Sequence, residues 1–192
     1  VIIANKDEKE AEKFLSVEAD EKYGYSLKSF DSYLLTPEGL QFSAAGEKME
    51  SKLRGIFNLY NIAGAMTFAQ TQGISLTTIK EALKKFGGVR GRVESITVPG
   101  MAKKQTFEVI VDYAHTPDSL QKLYELFAPR KKICVLGGTG GGRDKWKRKE
   151  MGHIADEHCA EIILTDEDPY DEDPQAILSD IARGIKVKKP IT

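Results

Sequence analysis

Short apolar runs alternate with amphipathic stretches through the second half of the chain. The runs lie near residues 107–112, 132–136 and 161–165, and the amphipathic stretches near residues 117–128, 146–158 and 174–185. Each run is short and contains β-branched residues, as expected of a buried parallel strand. A strand followed by a helix, repeated three times, predicts a parallel sheet with right-handed crossovers and helices on its faces.

The first half of the chain alternates predicted hairpins and helices. The predicted elements are strands at 33–35, 40–43 and 49–54 and helices at 58–71 and 75–86. Three glycines within residues 87–91 are difficult to place in regular structure, so this segment is the best linker candidate. We therefore predict a domain boundary there, with domains at 1–88 and 89–192 and a hairpin through Pro99 and Gly100 in the second domain.

The charge of the chain argues against a dedicated nucleic-acid-binding protein. The 192 residues carry a formal net charge of -1 at pH 7, whereas such proteins are usually strongly basic over at least one domain. The hydrophobic fraction of 41% suffices for a core, and no apolar run approaches the roughly 20 residues needed to span a bilayer. We expect a monomeric cytoplasmic protein with no nucleic-acid partner and no membrane insertion.

The two cysteines show neither metal-ligand spacing nor a disulfide framework. Cys134 falls in a predicted strand, and Cys159 lies near the end of a predicted helix. We expect both to be buried, reduced thiols, as is usual in cytoplasmic proteins.

Ionisable side chains follow the first apolar run, at the end of a strand where α/β proteins place ligands. The segment reads Asp-Tyr-Ala-His-Thr-Pro-Asp over residues 112–118. Thr116 can cap a helix that begins at Pro117, and Asp118 adds negative charge where the helix dipole favours it. Asp112 and His115 are then left at the carboxyl end of the predicted strand, as candidates for ligand binding.

A glycine-rich loop follows the second apolar run, and such a turn lets backbone N–H groups approach an anion. Gly137 and Gly142 have the spacing of a P-loop, but Arg143-Asp144 replaces the required Lys-Ser/Thr. The dinucleotide pattern also fails, because its last glycine would fall on Arg143. The loop carries Arg143, Lys145, Lys147, Arg148 and Lys149. These residues either bind a ligand or form the solvated start of a helix.

The third apolar run leads into an acidic loop, residues 166–173. Clustered carboxylates suit hard cations, but the glycine-centred spacing of a calcium site is absent. Glu167 and Asp168 lie nearest the strand end and are the functional candidates, whereas residues 171–173 are expected to be structural. A basic loop beside an acidic loop suits a small zwitterion, of which an amino acid is the simplest.

Five motifs of the chain resemble the Mur ligase family in their order and spacing. They are Phe57-Asn58-Leu59-Tyr60-Asn61, Gly91-Arg92-Val93-Glu94, residues 112–118, Arg143-Asp144-Lys145 with Lys147-Arg148, and Asp166-Glu167-Asp168-Pro169. Within the family the chain is most similar to the UDP-N-acetylmuramoyl-tripeptide synthetases. The resemblance implies an α/β fold with a doubly wound, Rossmann-like parallel sheet in the C-terminal domain. The tail of a central α/β ATP-binding domain, with hairpins and two helices, would precede it.

The resemblance also implies an ATP-dependent ligase of peptidoglycan biosynthesis. Such enzymes use ATP and Mg²⁺ to convert a carboxylate of a UDP-N-acetylmuramoyl-peptide into an acyl phosphate, which the amine of an amino acid attacks. The residues implied to bind ATP are Asn58 and Asn61 at adenine, Asp112 at the ribose, and Arg92 and His115, the two catalytic candidates, at the phosphates. Those implied to bind the amino acid are Arg143, at its carboxylate, with Glu167, Asp168 and Tyr170. No protein ligand for a metal is implied.

Two departures from the family pattern change the expectation. Members that add meso-diaminopimelate usually carry Asp-Asn-Pro-Arg, whereas Tyr170 stands in place of that arginine here. We therefore expect a lysine-like amine as the substrate. The P-loop segment is not among these residues, so we expect a fragment that is inactive by itself. The alternatives are a related polyglutamate or cyanophycin ligase, and a nucleotide- or amino-acid-binding module without catalysis.

Overall fold

The computed structural model describes residues 1–100 and 104–192. Contacts divide the chain into two compact units, Val1–Val111 and Asp112–Thr192. The predicted domain boundary between residues 88 and 89 remains a prediction. Within the described ranges no helix is long and apolar enough to cross a membrane. The same ranges contain no group of three or more His, Cys, Asp or Glu side chains placed to hold a metal ion.

The described residues of the first unit form a parallel strand pair, an antiparallel sheet, a hairpin, three α-helices and a short 3-10 helix at Leu27–Ser29. Its elements are β1 Ile2–Asn5, α1 Ala11–Ser16, β2 Lys22–Tyr25, β3 Ser32–Thr36, β4 Gly39–Ala44, β5 Glu47–Ser51, α2 Ile56–Thr71, α3 Leu76–Lys85, β6 Glu94–Ile96 and β7 Val109–Val111. β1 pairs in parallel with β2, and β3, β4 and β5 form an antiparallel sheet in that order. The hairpin and the two helices predicted in the first half are confirmed.

The core of the first unit lies between the β3–β5 sheet and the helices α2 and α3. Alternate residues of β4 are buried, as are residues of α2 spaced by three or four: Leu40, Phe42, Ala44, Leu59, Ile62, Ala63 and Met66. Gly55 precedes α2 with φ at 89°, a conformation that glycine adopts at little cost. This packing fixes the first turns of α2, where Asn58 and Asn61 lie.

The apolar run at residues 107–112 differs from its prediction. We expected a buried parallel strand, but β7 spans only Val109–Val111 and pairs antiparallel with β6. Val109 and Val111 are 36% and 44% exposed. Apolar composition does not specify a partner strand, and β6 is close enough in sequence to form a local hairpin. Part of the hairpin connection, residues 101–103, lies outside the described residues.

The second unit has α/β architecture. Its elements are α4 Pro117–Leu126, β8 Ile133–Leu136, α5 Trp146–His158, β9 Glu161–Leu164 and α6 Pro174–Ala182. β8 pairs in parallel with β9 through the crossover helix α5, and Ile191 adds a parallel bridge to Ile163. The α/β class and the parallel pairing of the second and third apolar runs are thereby confirmed.

Buried Asp156 anchors the segment that leads to the Ile191 bridge. Its carboxylate accepts hydrogen bonds from the backbone N–H groups of Lys186, Val187 and Lys188 at 2.8, 2.9 and 2.9 Å. Burial raises the pKa of Asp156, but these hydrogen bonds lower it, and the net shift is downward. A single α5 carboxylate thus holds the backbone of three successive residues.

The cysteines are buried as predicted but they are not free thiols. Cys134 and Cys159 form a disulfide, with Cα atoms 6.0 Å apart. Cys134 lies in β8, and Cys159 lies between the end of α5 and the start of β9. Because parallel pairing of β8 with β9 brings these positions together, the disulfide follows from topology rather than from cysteine spacing.

Candidate active site

Residues 112–115 form a tight corner at the start of the second unit. Asp112 Oδ1 accepts a hydrogen bond from Ala114 N at 2.7 Å, and His115 Nδ1 lies 3.0 Å from Tyr113 O. The rings of Tyr113 and His115 lie 4.8 Å apart. Two predicted ATP-binding residues, Asp112 and His115, therefore share one turn. The His115 side chain is exposed, and its contacts with Tyr113 restrict its orientation.

Thr116 caps α4 as the sequence predicts. Its Oγ1 accepts a hydrogen bond from Ser119 N at 3.3 Å, and Ser119 Oγ accepts one from Thr116 N at 3.1 Å. These reciprocal bonds form a capping box, with Pro117 as the first helical residue. Leu120 and Tyr124 then face the core. The cap fixes the backbone immediately after His115.

A pocket of about 430 Å³ in the first unit contains Asn58 and Arg92, two predicted ATP-binding residues. Asn58 Nδ2 donates to Arg54 O at 2.8 Å, and Asn58 Oδ1 accepts from Asn61 Nδ2 at 3.1 Å. Gly55, not Asn58, is the N-cap residue of α2. Arg92 is exposed at the pocket. Asn58 thus contacts Asn61 directly and shares a pocket with Arg92.

The same pocket contains an ion pair that the sequence did not reveal. Arg54 Nη1 donates to Glu108 Oε1 at 2.9 Å, and the two side chains are 15% and 22% exposed. The residues are 54 positions apart. The only signal in the sequence was that Arg54 and Glu108 have opposite charges. Opposite charge alone does not identify a partner that is so far away along the chain.

In the second unit, the glycine-rich loop after β8 packs directly on the acidic loop after β9. Gly140 N donates to Asp168 O at 3.1 Å. A Cβ at Gly140 would collide with Pro169 O, and one at Gly137 would lie 2.7 Å from Thr165 O and 3.0 Å from the Cβ of Glu167. Glycine is required at both positions because the neighbouring backbone leaves no room for a side chain. The two loops are therefore neighbours, as expected of the ends of adjacent parallel strands.

Two of the predicted amino-acid-binding residues have unusual backbone conformations. Asp168 and Tyr170 have φ values of 38° and 52°, in the left-handed region. Such conformations cost non-glycine residues on the order of 1–3 kcal/mol each and are frequent at binding sites. The ring of Tyr170 lies against Gly141, and the residue is 70% exposed. The strained segment around Pro169 is therefore a candidate ligand-binding segment.

Arg148 is buried, whereas one of the two interpretations of the basic loop placed it in solvent at the start of a helix. Its side chain is 2% exposed. Nη1 donates to Glu172 Oε2 and to Asp180 Oδ2, both at 3.1 Å, while Nη2 donates to Thr139 O and to Glu172 Oε1, both at 3.2 Å. Arg148 shares the buried face of α5 with Met151 and Ala155, three and seven residues later, and this spacing was the sequence signal for its burial.

Glu172 is the second residue of this network. Hydrogen bonds from Arg148 and Lys145 lower the pKa of Glu172 to about 2. Burial lowers the pKa of Arg148, but its bonds to Glu172 and Asp180 outweigh burial, and the net shift is upward. Asp173 accepts a hydrogen bond from Gln175 N at 3.1 Å and caps α6. Glu172 and Asp173 thus bind groups of the protein itself, in line with the structural role predicted for this part of the acidic loop.

Arg143 differs from Arg148 in the same loop. It is exposed and makes no hydrogen bond or ion pair with any other residue in the described part of the chain. Glu167 is half-buried and Asp168 is exposed. The structure brings the loops that carry these three residues together, and it leaves the Arg143 guanidinium accessible.

Comparisons with known proteins identify a family of similar sequences. Residues 91–191, which are 101 of the 192 residues, match the model of the Mur ligase, glutamate ligase domain. The UDP-N-acetylmuramoyl-L-alanyl-D-glutamate–2,6-diaminopimelate ligase of Gloeobacter violaceus is 38% identical over 184 residues, which cover 90% of this chain and 37% of that protein. The ligase of the same name from Wolinella succinogenes is 34% identical over 188 residues, which cover 95% of this chain and 42% of that protein.

Solved structures share the fold. The crystal structure of MurF from Acinetobacter baumannii matches with a TM-score of 0.73 and 19% identity, over 95% of this chain and 40% of that one. Folylpolyglutamate synthase from Thermotoga maritima matches with a TM-score of 0.64 and 18% identity, over 95% of this chain and 45% of that one. The chain spans less than half the length of each of these relatives. Because the family model matches more than half of the chain, this protein belongs to the Mur ligase family.

Proposed function

We propose that this chain is part of an ATP-dependent ligase that adds an amino acid to a UDP-N-acetylmuramoyl-peptide in peptidoglycan biosynthesis. The contact between the loop that bears Arg143 and the acidic loop that bears Asp168 carries the proposal. An exposed guanidinium beside carboxylates suits an amino acid, whose carboxylate binds a cation and whose ammonium binds anions. Family membership and the names of the relatives support the same substrate class.

The proposed reaction has two steps. A carboxylate oxygen of the muramoyl-peptide attacks the γ-phosphorus of ATP, the bond to the β-phosphate oxygen breaks, and ADP leaves. The amine of the amino acid then attacks the acyl carbon, the phosphate leaves with its oxygen, and the nitrogen loses a proton to form the amide. Arg92 and His115 are proposed to stabilise the negative charge on the transferred phosphoryl oxygens by donating hydrogen bonds to them.

The other proposed ATP-binding residues offer neutral or acidic groups. The side-chain amides of Asn58 and Asn61 can both donate to and accept from adenine, and the carboxylate of Asp112 can accept hydrogen bonds from ribose hydroxyls. Mg²⁺ is proposed to accompany ATP and to neutralise charge on its phosphates, since it is usually bound by one or two carboxylates together with phosphate oxygens. We place the reaction in the cytoplasm, where ATP and UDP-linked precursors are available.

The test is a coupled assay of phosphate release by the full-length protein that contains this chain. The protein is supplied with ATP, Mg²⁺ and UDP-N-acetylmuramoyl-dipeptide, and lysine, diaminopimelate, ornithine and glutamate are added in turn. We expect release only with a suitable amino acid, together with the mass of the extended peptide. With Tyr170 in place of the family's arginine, lysine is expected to exceed diaminopimelate.

Each other result excludes part of the proposal. Phosphate release that does not depend on the amino acid would contradict an amide ligase. Turnover with a folate or polyglutamate acceptor, but not with the muramoyl-peptide, would assign the chain to the related polyglutamate ligases. Binding of ATP or an amino acid without turnover would indicate a binding module.

A further inference from the structure

The carboxylate of Glu172 is bonded to the glycine-rich loop on both sides of Arg143. On one side, Gly142 N donates to Glu172 Oε1 at 3.4 Å. On the other, Lys145 Nζ lies 3.0 Å from Glu172 Oε2. Arg143, between them, is exposed and makes no hydrogen bond or ion pair within the described ranges. The backbone that carries Arg143 is thus tied down while its guanidinium is left accessible.

Arg148 holds the carboxylate of Glu172 in place. The buried guanidinium donates to both oxygens of Glu172, to Asp180 on α6 and to Thr139 O in the glycine-rich loop. These bonds restrict a segment in which Gly141 and Gly142 have φ values of 69° and 73°, conformations that glycine adopts at little cost. A binding group held in place loses less conformational freedom when its ligand arrives.

The same contacts distinguish Arg143 from two other cations of the loop, Lys145 and Arg148. The charges of Lys145 and Arg148 are already compensated by Glu172 and Asp180. A substrate carboxylate that approached either cation would have to compete with a protein carboxylate at about the same distance. Arg143 carries no such competitor among the described residues.

We infer that Glu172 is a positioning residue for the amino-acid substrate. It binds Gly142, Lys145 and Arg148, and it thereby presents Arg143 as the cation that receives the substrate carboxylate. The inference rests on the proposed function, because it names the group that organises the same site.

The test compares Glu172→Gln with Asp171→Asn in the full-length ligase. Both changes remove one negative charge from the same loop, but Asp171 is exposed and, among the described residues, makes no hydrogen bond or ion pair with Lys145 or Arg148. We expect Glu172→Gln to raise the KM for the amino acid by about tenfold or more, because small displacements of a positioned group have large effects. The KM for ATP should change less than about twofold, and Asp171→Asn should leave both constants unchanged.

A double-mutant cycle with Arg143→Ala separates positioning from a general structural effect. If Glu172 acts through Arg143, Glu172→Gln should add little to the amino-acid KM of Arg143→Ala, so that the two effects are strongly non-additive. Additive effects, or equal rises in the KM values for ATP and the amino acid, would overturn the inference. If Glu172→Gln does not fold, the cycle is repeated with Lys145→Met, which removes one of the contacts between Glu172 and the loop. The same two outcomes, additive effects or equal rises in both KM values, would then overturn the inference.

The proposed function and this inference fail in different ways. If the unmodified ligase shows no amino-acid-dependent phosphate release, the proposed function fails. If it shows such release and the cycle is additive, only the role of Glu172 fails. Amide hydrogen exchange adds a readout without turnover: Glu172→Gln should speed exchange at Gly142 relative to Asp171→Asn, and an unchanged rate would contradict the attachment.

Discussion

Each of the two candidate regions contains an arginine in an ion pair with the protein and a second arginine that is proposed to bind a ligand, but the regions differ in how deeply the ion pair is buried. In the first unit, Arg54 pairs with Glu108 at a pocket and keeps 15% exposure, while Arg92 is exposed. In the second unit, Arg148 is 2% exposed and pairs with two carboxylates, while Arg143 is exposed. Removing one partner of a buried pair leaves an uncompensated charge, whereas a partly solvated pair is compensated by water. The loops of the second unit should therefore depend on their ion pairs far more than the pocket does.

The largest expected effect is on stability, from Arg148→Met compared with Arg54→Met. Arg148→Met leaves Asp180 and Glu172 facing an apolar side chain, so we expect the free energy of unfolding to fall by about 3 kcal/mol. Arg54→Met should cost about 1 kcal/mol or less. Urea unfolding measures both, with Lys149→Met, at an exposed position of α5, as the control. Equal losses from the two arginine changes would remove the distinction between the regions.

The second expected effect concerns the disulfide, which lies in the second unit. Its cysteines are 25 residues apart, and a loop of that size predicts a stabilisation of about 3 kcal/mol from the restricted unfolded chain. Reductant should therefore lower the urea midpoint of the protein. The matched control is the Cys134→Ser/Cys159→Ser variant, whose midpoint should not respond to reductant. Two titratable thiols in denatured, unreduced protein would show that the bond does not form.

A third expected effect distinguishes Arg143 from Arg92 by the substrate whose KM each one changes. Arg143→Ala should remove a charge-assisted contact of about 1.5 to 3 kcal/mol, which raises the KM for the amino acid far more than the KM for ATP. Arg92→Ala should have the opposite selectivity. Steady-state kinetics with each substrate varied in turn measure both, with Lys147→Ala as the control. Equal effects of Arg143→Ala on both KM values would move Arg143 to the nucleotide site.

A smaller expected effect is an acid-sensitive component of stability in the second unit. The pKa of Glu172 is lowered from an ordinary value of 4.5 to about 2 in the folded protein. Stability from this group is therefore fully present above pH 4.5 and is lost as the pH falls towards 2. The urea midpoint should fall less steeply over this interval in Glu172→Gln than in Asp171→Asn. Identical slopes for the two variants would mean that Glu172 is not paired in solution.

Local signals predicted much of this structure, because they depend on residues close together in sequence. The cap at Thr116, the helix at 146–158 and the neighbouring loops after β8 and β9 all follow from short patterns. The antiparallel pairing of β7 with β6 was not predicted, because apolar composition does not select between possible partner strands.

Long-range pairs of side chains were the other features that the sequence did not reveal. The Cys134–Cys159 disulfide and the Arg54–Glu108 ion pair each join residues that only the completed fold brings together. Arg148 is an intermediate case, since its spacing from Met151 and Ala155 placed it on the buried face of a helix. We nevertheless interpreted Arg148 as part of a ligand-binding or solvated loop, and no local signal identified Glu172 and Asp180 as its partners.

The smallest expected effect compares the helix starts near the proposed nucleotide-binding residues. The helix α4 begins with the Thr116 capping box, whereas α2 begins at Gly55 without a side-chain cap. Thr116→Ala should lower the free energy of unfolding by about 1 kcal/mol, because Ser119 N loses its acceptor. Thr116→Ser retains the hydroxyl and should be close to unchanged. Since the cap follows His115 directly, the KM for ATP should also rise in Thr116→Ala but not in Thr116→Ser. If only stability changes, the cap supports the fold of the second unit and does not orient His115.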